Sequence, residues 1–112
     1  MSTNRHEQVI ASISEYLLLN LDKPVSISQL AHSHYISESK LKQDFKKYMH
    51  LSLINWLLEQ RMQKAFQLLQ QSDSKISDIA EEVGYSNVSS FNREFRKHYA
   101  CSPREIREGN SE

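Results

Sequence analysis

Two stretches of the chain bring together side chains suited to a polyanion. In residues 37–49, Ser39, Lys40, Lys42, Gln43, Lys46 and Lys47 are interleaved with Leu41 and Phe45. In residues 89–99, Ser89, Ser90, Asn92, Arg93, Arg96 and Lys97 are interleaved with Phe91 and Phe95. Arginine can bond bidentately to guanine and asparagine or glutamine to adenine, while lysine neutralises phosphate as a point charge. The first stretch has four lysines against Glu38 and Asp44, a local +2. The second has three bases against Glu94, again +2, with His98 able to add charge. One mixed face of this kind is more often ordinary solvated surface. Two of them, each behind the same pattern of short helix and turn, weigh toward nucleic acid.

Those faces need helices to position them. Leu41 and Phe45, like Phe91 and Phe95, stand four apart and turn inward on a helix, leaving the polar set outward. Before them, Val9, Ile10, Ile13, Tyr16, Leu17 and Leu21 mark an amphipathic helix over Glu7 to Asn20, stopped ahead of Pro24. Ser26 can cap a short helix bearing Ile27, Leu30 and Ala31, and Ser37 can cap the next, to about Met49. Ser52 opens a long pattern with Trp56, Leu57, Met62, Ala65, Phe66, Leu68 and Leu69 that fades into the polar run from Gln70 to Lys75.

The second half repeats the first. Ile76, Ile79 and Ala80 match Ile27, Leu30 and Ala31 at an offset of 49, whereas Phe91, Phe95 and Ser102 match Leu41, Phe45 and Ser52 at 50. One residue is therefore inserted near Asn87-Val88. The expected architecture is all-α: seven helices in two homeodomain-like helix-turn-helix subdomains, bridged by a long central helix. The expected segments are residues 1–50, a linker helix over 51–72, and residues 73–112. Gly84 supplies the positive φ of the second turn. Tyr35 stands at the matching place of the first, so that turn is expected to be looser or differently shaped. From Leu53 to Gln71 is nineteen residues, about 28 Å of helix, against ~34 Å between successive major-groove faces. Two reading helices so joined could reach adjacent grooves without dimerising.

Composition excludes much else. The 112 residues contain two glycines and two prolines, which disfavours a turn-rich β architecture. No apolar run approaches a membrane span, and the N-terminus lacks the layout of a signal peptide, so a cytoplasmic location is expected. Cys101 is a lone thiol, in keeping with a reducing compartment. Net charge is zero, but residues 1–39 sum to −2, residues 40–104 to +4 and residues 105–112 to −2. The histidines form one close pair, His32 and His34, which diverge on a helix; no metal site and no cofactor is expected. No Gly-rich phosphate loop, nucleophile elbow or zinc-protease motif occurs, and Glu81-Glu82 diverge, so no enzyme is expected.

Three motifs then carry a family resemblance: Ile76-x-x-Ile79-Ala80-x-x-Val83-Gly84-Tyr85-Ser86, Ser90-Phe91-x-Arg93-x-Phe95-Arg96-Lys97, and Ser102-Pro103-x-x-Ile106-Arg107. Together they resemble the signature of the AraC/XylS family of bacterial transcription regulators. The first half agrees more loosely through Leu30-Ala31, Ser37, Leu41, Phe45-Lys46-Lys47, Trp56, Arg61, Met62, Ala65 and Leu68-Leu69. At this length the resemblance is to the stand-alone type similar to MarA and SoxS. It implies a bacterial protein acting at the nucleoid as a monomer on double-stranded DNA and touching RNA polymerase as an activator. The opening Met1-Ser2-Thr3-Asn4 leans toward a natural start, the other expectation being the C-terminal half of a larger regulator.

By position, the resemblance puts base reading on Ser39, Lys40, Lys42 and Gln43, and on Ser89, Ser90, Asn92 and Arg93. Phosphate contacts fall on Ser37, Lys46, Lys47, Arg96 and Lys97. The family's usual glycine after each reading helix is His50 and Ala100 here, and its proline is Leu53 in the first unit. A bulky or arginine reader is missing from the first helix. That unit is therefore expected to contribute mainly phosphate affinity, with Arg93's unit supplying more of the specificity. The competing expectation is a module of the same fold that binds another regulator, favoured by the neutral charge, Tyr35 and the weak first reading helix. A small-molecule groove at Trp56 lacks a convergent polar set.

Overall fold

The computed structural model describes residues 4–109. The expected start at Met1-Ser2-Thr3 and the last three residues of the expected C-terminal segment lie outside them. Among the described residues there are seven helices and no strand: α1 (Arg5–Leu19), α2 (Ile27–Ser33), α3 (Glu38–Met49), α4 (Leu53–Gln71), α5 (Ile76–Glu82), α6 (Val88–Tyr99) and α7 (Pro103–Gly109). No helix among them is long and apolar enough to cross a membrane.

Polar caps set most of the starts. Asn4, Ser26, Ser37 and Asn87 each accept a hydrogen bond from the backbone N–H three residues on, as an N-cap should. Ser52 does the same for Asn55 ahead of α4. Ser102 and Glu105 cap α7 reciprocally: the Glu105 N–H donates to Ser102 Oγ (3.1 Å) and the Ser102 N–H to Glu105 Oε1 (2.7 Å).

The chain forms two compact units, Met1–Leu58 and Glu59–Glu112, and the division falls inside α4. In the first, Ile10, Ile13 and Leu17 of α1 pack with Leu30 and Ala31 of α2, Leu41 and Phe45 of α3, and Leu53, Trp56 and Leu57 from the start of α4. Trp56 stands edge-on to Phe45, with ring centroids 5.4 Å apart, and is only 7% exposed. Its indole belongs to the core.

The second unit is built on an aromatic series. Tyr85, Phe91, Phe95, Tyr99 and Phe66 follow one another at centroid separations of 5.7, 5.7, 4.7 and 5.0 Å. Such tilted and edge-on pairs contribute about 0.5–1.5 kcal/mol each beyond their buried area. Arg107 of α7 completes the unit with three donors. Nε reaches the Leu69 carbonyl (3.3 Å), Nη2 that of Ser72 (3.0 Å) and Nη1 that of Ser74 (2.6 Å). A planar cation thus closes the carbonyl end of α4, where a positive charge is favoured.

The two helix-turn-helix turns share one backbone. After α2, the Tyr35 N–H donates to His32 O and the Ile36 N–H to Ala31 O; after α5, the Gly84 N–H donates to Glu81 O and the Tyr85 N–H to Ala80 O. Both are Schellman motifs. Tyr35 sits at φ 60° and Gly84 at φ 97°. The looser first turn expected from Tyr35 is not what forms. A tyrosine takes the left-handed conformation at roughly 1–2 kcal/mol, a cost that the buried contacts of Leu30, Ala31 and Leu41 outweigh. His50 and Ala100, at φ 68° and 63°, also end α3 and α6 in the left-handed region, each with a single bond from its N–H to the carbonyl four residues back, Lys46 and Arg96. The extra residue of the second unit is Ser86, since Ile36 pairs with Tyr85 and the cap Ser37 with the cap Asn87.

Candidate nucleic-acid interface

Each unit holds the second helix of its helix-turn-helix by one apolar face and leaves the other open. In α3, Leu41, Asp44 and Phe45 are buried, and Ser39, Lys42, Gln43, Lys46 and Lys47 are exposed. In α6, Phe91 and Phe95 are buried, and Ser89, Arg93, Arg96 and Lys97 are exposed. The sequence-expected sets therefore gather on one face in each helix. Ser90 and Asn92 are half-buried at its margins. Ser37 is occupied at the helix start, where its Oγ accepts from the Lys40 N–H at 3.0 Å.

Lys40 stands apart from the rest of its set. Its Nζ lies 3.3 Å from Asp44 Oδ1, and the other oxygen of that carboxylate is 3.6 Å from Nδ1 of His6 on α1. Asp44 is 6% exposed. From sequence this aspartate is one charge in a mixed face; the structure buries it instead. Its spacing gave a signal: with Leu41 three residues before it and Tyr48 four after, it shares the inward face. Asn4 Nδ2 also lies 3.3 Å from the Tyr48 hydroxyl, so the first turn of α1 fastens to α3 at two places.

Polar contacts shape α6 differently. Arg93 Nη2 donates to Ser90 Oγ at 3.4 Å, which draws the guanidinium back along the helix. Arg96 Nη1 is 3.7 Å from Glu105 Oε1, with both side chains about three-fifths exposed, an ion pair of the kind that contributes little and yields readily to another anion. The two hydrogen bonds from Ser102, followed by nearby Arg96, hold the Glu105 carboxyl below the usual carboxylate range. Burial, with Glu94 adding, raises the Tyr85 phenol above its ordinary value, and burial does the same for Tyr99, with Glu59 adding. Both hydroxyls stay neutral at physiological pH. Lys47 lies over the Tyr48 ring at 5.2 Å. Among the described residues no three His, Cys, Asp or Glu side chains form a metal-holding group.

The arrangement is therefore two short amphipathic helices, each entered through a tight left-handed turn and each turning cations and hydrogen-bonding side chains outward. Known proteins share it. Residues 30–109 match the family model described as a helix-turn-helix domain. A putative HTH-type transcriptional regulator of Escherichia coli K12, YkgA, is 30% identical over 101 residues, covering 90% of this chain and 42% of that protein. The C-terminal domain of AraT, a response regulator from Geobacillus stearothermophilus, superposes with a TM-score of 0.87 at 26% identity, over 95% of this chain and 88% of that one. An AraC-type transcriptional regulator from Chromobacterium violaceum gives a TM-score of 0.82 at 27% identity, over 95% of each chain. The chain spans less than half the length of the curated relatives it matches, down to 24% of the Pseudomonas aeruginosa regulator GbdR.

Proposed function

The chain belongs to the AraC/XylS family of helix-turn-helix transcription regulators, and from that premise we propose that it reads double-stranded DNA by sequence through α3 and α6. The observation that carries this reading is the doubled face: two reading helices at a repeat offset of 50, each with its apolar side buried and its cations outward. Ser39, Lys42 and Gln43 on α3 and Ser89, Ser90, Asn92 and Arg93 on α6 are the base-facing candidates; Lys40, paired with Asp44, is left out of the set. Ser37, Lys46, Lys47, Arg96 and Lys97 face the phosphates. Arg93 is the strongest reader, because its fork can take two acceptors of one guanine. The finer reading has the two helices in adjacent major grooves of one site, so that a single copy suffices. The length of α4 supports it. Action at a bacterial promoter beside RNA polymerase belongs to the same proposal.

Selection from a random duplex pool, followed by anisotropy of the winning site across a salt series, tests this. An enriched site spanning two successive major grooves, with affinity falling steeply between 50 and 200 mM salt, is the expected result. Enrichment over one groove alone would remove the two-groove part. No enrichment with a flat salt response would overturn the DNA reading and turn attention to a protein partner.

A further inference from the structure

Asp44 is a carboxylate with almost no access to water, and a buried charge persists only when it is paired. Its two oxygens face Lys40 Nζ at 3.3 Å and His6 Nδ1 at 3.6 Å. A lysine is a cation at neutral pH, whereas an ordinary histidine is largely neutral there. The lysine is therefore the cation that compensates Asp44. Handing that ammonium to a phosphate would leave the carboxylate buried with, among the described residues, the His6 imidazole beside it.

We infer that Asp44 is a positioning residue that withholds Lys40 from the polyanion-binding face of α3 and so sets how many cations the helix offers. With Lys40 withheld, α3 turns three lysines outward, Lys42, Lys46 and Lys47, and α6 turns out Arg93, Arg96 and Lys97. The matching pair in the second unit, Ser90 and Glu94, contains no cation to withhold; there Ser90 Oγ accepts from Arg93 instead. Helix α3 thus spends one of its four lysines on the fold of its own unit. This rests on the DNA reading for its biological use, but the charge arithmetic holds for any polyanion.

Anisotropy on one fixed duplex, and salt elution from heparin, measure the effect with the intact chain. Each phosphate contact contributes about 0.9 to the log–log salt slope. Lys40→Ala is expected to leave both the slope and the heparin elution at the wild-type values. Asp44→Asn frees the ammonium and is expected to steepen the slope by about 0.9 and to delay elution; adding Lys40→Ala to it should reverse both. A Lys40→Ala slope that falls by about 0.9, or an Asp44→Asn slope equal to wild type, overturns the inference. If Asp44→Asn melts too low to assay, Lys40→Ala, whose side chain is partly exposed, decides alone. Late elution of Asp44→Asn from heparin, in a protein that selects no duplex, would uphold the charge setting while the DNA reading failed. A selected duplex with an unchanged Asp44→Asn slope would mean the reverse.

Discussion

Tyr35 and Gly84 occupy the same left-handed corner of the same Schellman turn, one in each half of the chain. The glycine adopts it freely. The tyrosine does so as a residue 89% exposed, so almost no packing repays the strain locally.

Replacing Tyr35 by glycine should therefore stabilise the protein. Relief of about 1–2 kcal/mol of left-handed strain exceeds the 0.4–1 kcal/mol that a more flexible unfolded chain costs. The net gain is about 0.5–1 kcal/mol, read as a Tm a few degrees higher. Gly84→Ala should move the other way. A lower Tm for Tyr35→Gly would show that the ring contributes to folding through a contact.

Arg107 should resist its usual conservative exchange. The guanidinium holds three carbonyls of the α4 end region at once, and an ammonium cannot reproduce that planar fork. Both Arg107→Ala and Arg107→Lys should cost about 2 kcal/mol in denaturant unfolding, with lysine recovering only a minor part.

The α7 capping box should make stability depend on acid. Because the folded state lowers the Glu105 pKa, ionised Glu105 contributes its full stabilisation above the ordinary glutamate range. That contribution is lost as pH falls through the lowered folded value. The Tm difference between wild type and Glu105→Gln should shrink steadily on acidification. A difference that stayed constant would mean that the charge of the carboxylate is not what caps the helix.

The two reading helices should respond differently to substitution. Arg93→Ala should relax the preference at one base pair by about 1–3 kcal/mol, while Lys46→Ala should weaken all sequences alike and flatten the salt slope by about 0.9. Gln43→Ala should alter base preference less than Arg93→Ala does. An equal effect would remove the division of labour between the units. Competitive anisotropy on single-base variants of the selected site separates these outcomes.

The elements were legible because their signals are local. Ser37 and Ser52 stand where side-chain caps form, and the apolar spacing from Leu53 fades at Gln71, where α4 ends. The start of α1 was less so: the apolar pattern suggested Glu7, yet Asn4 caps the helix from three residues earlier. The backbone at Tyr35 could not be read from residue type, because a cost of about 1 kcal/mol is small beside the burial of the helices it joins. Asp44 was readable in part. Its spacing placed it inward, but the choice of Lys40 over solvent as its partner depends on how α1 covers it.

Trp56 has one more consequence. It is the chain's single tryptophan and lies wholly within the first unit, against Phe45. Indole emission is thus an optical label on one half, while far-ultraviolet circular dichroism weighs every helix. If the emission and helicity curves coincide during unfolding, the shared helix α4 binds both halves into one cooperative event. If they separate, each half discloses its own midpoint without any dye or added label.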